Sequence, residues 1–327
     1  MNQLLHPVRF SEKVTVPGNI FLAPMAGFTD AAFRGMAAEW GSAMGYTEMV
    51  SSEALTRNSA KTESLMKKGE EEGCYAIQIF ASNADVAVRS LPFVAAEKPE
   101  VIDINCGCPV PKVLKSGCGA ALGRDPQRIY EIVSALKNET DIPVTIKIRS
   151  GWDKSSINFL QVAESAQKAG VNAITLHPRT RSQDYAGFAD WSLIKELKAN
   201  SSVPIIGSGD LFSPEAVKEM LETTGCDGVM IARGSVGCPE IFTYSRELIE
   251  KGSYTQISPQ ERLENALRHF NRSVRYLGEA LACKEMKKHL CAYTKGLPGS
   301  AEIRNKIVYC TGAEEYLEIL KSFLSEK

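Results

Sequence analysis

The chain has no long apolar run. No stretch of its 327 residues approaches the ~18 consecutive apolar residues of a membrane-spanning helix. Met1 to Gly18 lacks the apolar core of a signal peptide. Both absences argue against a membrane-spanning helix and a secretory leader, and lead by default to the expectation of a cytoplasmic protein. Net charge is also small: 38 Lys and Arg stand against 39 Asp and Glu, a formal −1. The molecule as a whole is therefore no electrostatic magnet for nucleic acid. The nine cysteines are odd in number and follow no paired-loop spacing, which argues against a disulfide framework. Cys106 and Cys108 form C-x-C, but no second Cys/His pair at zinc spacing lies nearby, so no metal site is expected. There is no low-complexity segment. No G-x-G-x-x-G follows the first strand; that position reads Ala23-Pro-Met-Ala-Gly27.

The chain does contain an alternation. Short apolar runs, at 20–24, 44–49, 75–80, 101–105, 143–149, 172–177, 203–207 and 227–231, read as strands. Helical patterns fall between and after them, near 29–40, 52–66, 84–97, 126–138, 156–169, 190–199, 214–223 and 238–250. Asp125-Pro126 and Ser213-Pro214 each place a capping side chain before a proline at the first helical position. Runs such as Val144-Thr-Ile-Lys-Ile148 are β-branched and do not alternate cleanly, as expected of strands covered on both faces. Eight β/α units over residues 1–250 point to an α/β fold, a (β/α)8 TIM barrel. An open doubly wound sheet is the weaker alternative, because the dinucleotide fingerprint is missing.

After Lys251 the pattern changes. Ser258-Pro-Gln-Glu261 is a capping box. Leu263, Leu267, Phe270, Val274 and Leu277 then recur at helical spacing, and Gly278 is a stop signal. Further helical patterns cover 279–293, 300–309 and 313–325, so residues 258–327 read as a small helical domain. Between Arg262 and Lys306 ten Lys/Arg face four Asp/Glu, a local +6. That is an electrostatic footprint of the kind nucleic acid reads.

Polar residues collect where strands end. Barrels of this type build their active sites at the C-terminal ends of strands. Asp103-Ile-Asn-Cys-Gly-Cys-Pro-Val-Pro-Lys-Val113 leaves strand four through an amide, two thiols, a glycine and two prolines. A stiff loop presenting a thiol past a strand end suits nucleophilic or acid/base work. Gln78 lies in strand three and Lys147 inside strand five. His177, one of only four histidines, ends strand six, followed by Arg179 and Arg181. Ser208-Gly-Asp210 follows strand seven, and Arg233-Gly234 follows strand eight. Each has a plain structural alternative: Gln78 satisfying backbone, Lys147 snorkelling, or Arg233 pairing with Asp227. Their alignment on one rim is what favours a site. Gly207, Gly209 and Gly234 lie where barrels commonly cradle phosphate, and Arg233 could add a charge-assisted contact. A phosphorylated planar cofactor fits. FMN fits best, with Gln78 and Lys147 addressing its ring; PLP competes through a Schiff base on a barrel lysine, but leaves the thiol loop unexplained.

These segments resemble the tRNA-dihydrouridine synthases, and within them the bacterial DusB-like group. The matching stretches are Ala23-Pro-Met-Ala-Gly27, Gln78-Ile-Phe80, Asp103-Ile-Asn-Cys-Gly-Cys-Pro109 with Lys112-Val113, Ile146-Lys-Ile-Arg149, Leu176-His-Pro-Arg-Thr-Arg181, Ser208-Gly-Asp210, Ala232-Arg-Gly234 and, in the tail, His289-Leu-Cys-Ala-Tyr-Thr-Lys-Gly296 with Arg304. The resemblance spans nearly the whole chain. It implies an FMN enzyme that reduces a uridine of tRNA to 5,6-dihydrouridine with NADPH as reductant. It implies FMN on Pro24, Met25, Ala26, Gln78, Lys147, His177, Ser208, Gly209, Asp210, Ala232 and Arg233. Cys108 would be the catalytic cysteine and proton donor to C5, rather than Cys106. Asn105 would hold the uracil edge; Lys112, Arg179 and the basic tail with Arg304 would face RNA. The group points to position 17; separately, a monomer is the preferred expectation. Pro178, Ser208 and Ala232 depart from the usual pattern, and Ser208 puts a side-chain contact there in doubt. A dihydroorotate- or dihydropyrimidine-dehydrogenase type enzyme on a free pyrimidine is the nearest alternative; it would not need the basic tail. A non-catalytic RNA-binding barrel is the other.

Overall fold

Strand burial explains the core. The computed structural model describes residues 4–325. Eight parallel strands, β1 (Ile20–Leu22), β2 (Gly45–Tyr46), β3 (Tyr75–Phe80), β4 (Val101–Cys106), β5 (Val144–Arg149), β6 (Ala173–His177), β7 (Ile205–Ser208) and β8 (Gly228–Ile231), pair in sequence. The circle closes where Ile231 lies beside Leu22 on β1, so there is no open edge. The open doubly wound alternative is thereby excluded. β2 breaks at Thr47–Met49 and resumes as Val50–Ser51 against the end of β3.

Eight helices cover the strands: α1 (Ala31–Glu39), α2 (Ser52–Leu55), α3 (Ala84–Ala96), α4 (Pro126–Glu139), α5 (Phe159–Lys168), α6 (Ser192–Ala199), α7 (Pro214–Thr224) and α8 (Ile241–Lys251). Asp125 and Ser213 cap α4 and α7 as expected, accepting from the N–H of Arg128 and Ala216. The pattern at 52–66 is not one helix but two short ones, α2 and Ala60–Ser64, because Ser59 starts a new cap on Thr62.

Successive strand residues point to opposite sides. Ile77, Ile79, Ile102, Ile104 and Cys106 pack outward against the helices. Phe21, Ala76, Val101, Ala173, Ile206 and Met230 form a second cluster inside the barrel. That inner cluster is completed by Val8, Phe10 and Val16 from an antiparallel hairpin, Val8–Arg9 with Thr15–Val16. The hairpin is too short to show in the apolar pattern. It plugs the barrel end at which the strands begin and leaves the other end for chemistry.

Four helices follow: α9 (Pro259–Leu277), α10 (Glu279–Thr294), α11 (Ser300–Tyr309) and α12 (Ala313–Ser325). The Ser258/Glu261 capping box is formed. These helices have their own core, including Leu263, Phe270, Leu290, Tyr293 and Tyr316. Among the described residues no helix is long and apolar enough to cross a membrane.

The basic segment proves partly structural. Arg272 bridges Glu39 and Glu71, Arg275 reaches Glu70 and Glu71, and Arg268 lies 3.6 Å from Glu39. Three of the ten cations thus pair α9 with the barrel, Arg272 buried and Arg268 and Arg275 still about half exposed. The local +6 is a weaker mark of an RNA surface than its count suggests.

One buried pair carries a large stability expectation. Arg34 on α1 donates to both carboxylate oxygens of Glu72, at 2.8 and 2.9 Å, and to the carbonyls of Thr29 and Lys67. Both side chains are essentially inaccessible, at 0% and 1% exposure. Glu72→Ala leaves the guanidinium buried without its counter-charge, so urea denaturation should show a loss of about 3–5 kcal/mol. A loss below about 1 kcal/mol would mean that water enters and solvates Arg34.

Candidate active site

Inward-facing strand positions become polar towards the C-terminal end. Gln78 pairs in register with Asp103, Asn105 with Lys147, and Arg149 with His177. Because these residues alternate with the outward apolar set, their side chains meet at one mouth. There all of them but Asp103 line a cavity of about 790 Å³, within the range of about 300–1,000 Å³ usual for small-molecule and cofactor sites.

All eleven expected cofactor residues, together with Asn105 and Cys108, line this cavity. Lys147 is the one residue of β5 that is not fully buried. Its ammonium has no hydrogen-bond or ion-pair partner among the described residues. Burial, then repulsion from Arg149, pushes its pKa down to about 8, with Asp103 opposing. His177 is buried, and burial followed by the charges of Lys147, Arg149, Arg179 and Arg233 holds its pKa well below 6.5. The imidazole is therefore neutral at pH 7. Arg179 Nη1 lies 3.3 Å from His177 Nε2. Arginine can only donate, so Nε2 accepts and the ring proton sits on Nδ1.

The thiol loop is built from backbone bonds. Asn105 Oδ1 accepts from the N–H of Gly107 at 3.2 Å and of Cys108 at 2.9 Å. Arg149 Nε donates to the Gly107 carbonyl at 2.9 Å. The short helix Pro111–Lys115 follows. Gly119 (φ +61) lets the next turn cross closely, since a Cβ there would stand 2.7 Å from the Cys108 carbonyl oxygen. Cys108 is half-buried on the cavity wall, and burial raises its pKa above the ordinary thiol value against the opposing effects of the Val110 N–H, Arg149 and Lys147. Cys106, one strand step earlier than Gly107, faces the helices.

Several expected contacts take other roles. Ser208 donates its hydroxyl to the Met230 carbonyl at 3.0 Å, leaving that side chain only as an acceptor for a ligand. Asp210 binds Arg179 at 2.8 Å and the Ala189 N–H at 2.7 Å, with Arg233 at 3.7 Å. Burial pushes its carboxyl up, but these donors outweigh it and its pKa lies below normal. Arg233 pairs with Asp210, not Asp227, which holds Lys198 instead. Gly207 does not approach a ligand: a Cβ there would meet Met220 Sδ at 2.5 Å, so it exists for packing on α7. Gly234 likewise admits the Leu211 carbonyl.

Of the expected RNA contacts, Lys112 is exposed on the short helix beside the cavity. Arg179 is corrected. It is 2% exposed, donates to the Gly187 carbonyl and Asp210, and does not line the cavity, because the turn after β6 folds over it. Arg304 on α11 donates to Ser300 and is not part of the cavity wall either.

Other wall residues had little or no sequence signal. Arg149 had one, standing two residues beyond Lys147 on the same strand face. Phe28, Met49, Tyr185 and Phe212 come from loops whose course sequence does not give. Arg233 lies between the rings of Tyr185 (4.2 Å) and Phe212 (5.1 Å), and Trp152 is stacked by Arg124 and Arg181. Phe188 is 91% exposed nearby in sequence.

An eight-stranded α/β barrel that gathers a thiol, an unpartnered lysine and a neutral histidine at the C-terminal mouth belongs to the class of barrel enzymes. Solved structures agree on the fold alone. Histamine dehydrogenase from Rhizobium sp. 4-9 superposes with a TM-score of 0.60 at 15% identity, covering 82% of this chain and 51% of that one. A 2-naphthoyl-CoA reductase in complex with 2-naphthoyl-CoA gives 0.60 at 11%, covering 75% and 52%. Sequence comparison is more specific. A family model described as dihydrouridine synthase (Dus) matches residues 21–327. A probable tRNA-dihydrouridine synthase of Treponema pallidum (strain Nichols) is 41% identical over 97% of this chain and 96% of that protein. The tRNA-dihydrouridine synthase B of Pasteurella multocida (strain Pm70) is 34% identical over 94% and 92%. The chain belongs to the dihydrouridine synthase family.

Proposed function

We propose that this protein is an FMN-dependent tRNA-dihydrouridine synthase that reduces the C5–C6 bond of one tRNA uridine with NADPH, Cys108 acting as proton donor. The observation that carries this reading is the convergence of the Cys108 thiol, Asn105 and the unpartnered Lys147 on one cavity that also holds every expected cofactor residue. Relatives named for this activity cover more than nine-tenths of the chain.

The residues suit the cofactor. A partly buried lysine with no partner among the described residues, facing a largely apolar cavity, suits an electron-rich or anionic ring edge. Gln78 and His177 present further polar atoms to the same space. Gly209 (φ +114) and the Arg233 guanidinium suit a phosphate. When bound, FMN supplies a hydride to C6 of the uracil. Negative charge then develops toward O4, and C5 needs a proton. The Cys108 Sγ–H, protonated at pH 7, gives it. Lys147 and Arg149 sit close enough to stabilise the thiolate left behind. Asn105 serves as the uracil-edge contact with whatever hydrogen-bonding capacity its loop bonds leave free. The uracil must leave its stack, which costs a few kcal/mol and favours a loop uridine. Exposed Tyr185 and Phe212 offer rings for unstacked bases. Lys112 and exposed tail cations such as Lys284 and Lys295 supply phosphate contacts.

Unmodified tRNA incubated with the flavin-loaded protein and NADPH should gain two hydrogens at a single loop uridine, mapped by mass spectrometry, with position 17 the first to inspect. No mass gain with flavin bound and NADPH consumed would overturn the assignment.

A further inference from the structure

Asp103 is fully buried and is not part of the cavity wall, yet it ends a chain of hydrogen bonds that begins at the catalytic loop. Thr145 Oγ1 donates to Asp103 Oδ1 at 2.6 Å and Gln78 Nε2 donates to Oδ2 at 2.7 Å. Gln78 Oε1 accepts from Asn105 Nδ2 at 2.8 Å. Asn105 Oδ1 accepts from the backbone N–H of Gly107 and Cys108. The direction of this chain does not depend on how the amides are drawn. Backbone N–H groups at one end can only donate; burial raises the Asp103 pKa to about 6, so at pH 7 the group at the other end is ionised and can only accept. The two amides between them must therefore run head to tail, with every proton pointing towards Asp103.

We propose that Asp103 is a positioning residue: its carboxylate sets the polarity of the Gln78–Asn105 relay, and through it holds the loop that presents the Cys108 thiol. The inference rests on the assignment of Cys108 as the acid. A buried carboxylate is costly to desolvate, and an apolar residue of similar size would fill the same space without that cost. What the carboxylate adds is an acceptor-only terminus with charge-assisted bonds. It also gives the Gln78 amide one orientation, so the atoms Gln78 and Asn105 offer to the cavity are defined as well.

Replacement has a specific consequence. Asp103→Leu removes the acceptor. Gln78 can then turn and set its Nε2 against the Asn105 amide nitrogen. If Asn105 turns in response, its Nδ2 faces two backbone donors and the loop loses both bonds. Asp103→Asn is different, because the Thr145 hydroxyl can accept as well as donate. Asn at 103 can give a proton to Thr145 and keep its oxygen for Gln78, preserving polarity without charge. Adding Thr145→Val removes that escape.

The test measures kcat and KM for unmodified tRNA in Asp103→Leu, Asp103→Asn, Thr145→Val and the Asn/Val double variant of the holoenzyme. Alongside, it measures the iodoacetamide alkylation rate of Cys108, read on its own peptide. A loop displaced by ~1 Å costs on the order of 100-fold in rate, so Asp103→Leu should lose kcat by about that factor with KM held within about twofold, and should alkylate several-fold differently from wild type. Asp103→Asn and Thr145→Val should each stay within about tenfold in kcat, as a partly weakened network does, while the double variant falls to the level of Asp103→Leu. Wild-type kcat and alkylation in Asp103→Leu would overturn the proposal. So would equal losses in Asn and Leu variants with KM raised in both, since those follow from damaged packing rather than polarity. Full activity of Cys108→Ala, with alkylation of Cys108 in the Asp103 series still following polarity, would remove the acid and leave the positioning of the loop established.

Discussion

Cys108→Ala should lower the rate of uridine reduction by about 10²–10⁴-fold, the usual worth of a positioned general acid, while leaving flavin content and tRNA affinity near wild type. The thiol lies on the cavity wall and makes none of the relay bonds through its side chain, so its removal should not release the loop. The nearest alternatives are otherwise engaged: Cys106 faces the helices, His177 is neutral with Nε2 engaged by Arg179, and Lys147 is the proposed cofactor contact. Single-turnover reduction of tRNA by prereduced enzyme isolates the step. The pH dependence follows from the same environment. Burial raises the Cys108 pKa above the ordinary thiol value, so the acid is intact at neutral pH and is lost as pH rises through that raised value. Wild type should therefore show an alkaline fall in the single-turnover rate, absent from Cys108→Ala. An unchanged rate in the variant would remove Cys108 from the chemistry.

The second large effect concerns Lys147. A charge-assisted hydrogen bond is worth about 1.5–3 kcal/mol, so Lys147→Met, which keeps the length of the side chain, should weaken FMN binding by about 10–100-fold. Fluorescence titration of the deflavinated protein measures this directly, and the purified variant should be pale. The free lysine has its pKa pushed down to about 8. A ligand that favours the ammonium binds best below that value and loses affinity as pH rises through it. Wild type should show this alkaline weakening and Lys147→Met should not. Equal affinity and equal pH dependence in the two proteins would mean that the lysine points elsewhere when flavin binds.

The difference between what was legible and what was not follows strand geometry. Gln78, Asn105, Lys147 and His177 were legible because a polar residue in an apolar strand is conspicuous, and because barrels put function at one end of every strand. Arg149 was legible in principle by the two-residue period. Arg179 was misread because a loop cation looks solvent-facing until the turn that buries it is known. The basic tail was legible only as a sum: counting charge does not show that Glu39, Glu70 and Glu71, more than 200 residues earlier, will meet Arg268, Arg272 and Arg275. The N-terminal hairpin was missed because two-residue strands leave no periodicity.

The amino-acid order by itself determined the eight-fold β/α alternation, the helical tail, the Cys108 loop and the family, since all of these are local patterns of apolar spacing, caps and motif residues. Only the tertiary structure decided that Asp103 accepts from Gln78 and Thr145, that Arg34 and Glu72 are sealed together, and that Arg268, Arg272 and Arg275 pair with barrel glutamates. Each of these joins residues distant in sequence, and a contact of that kind exists only once the barrel has closed.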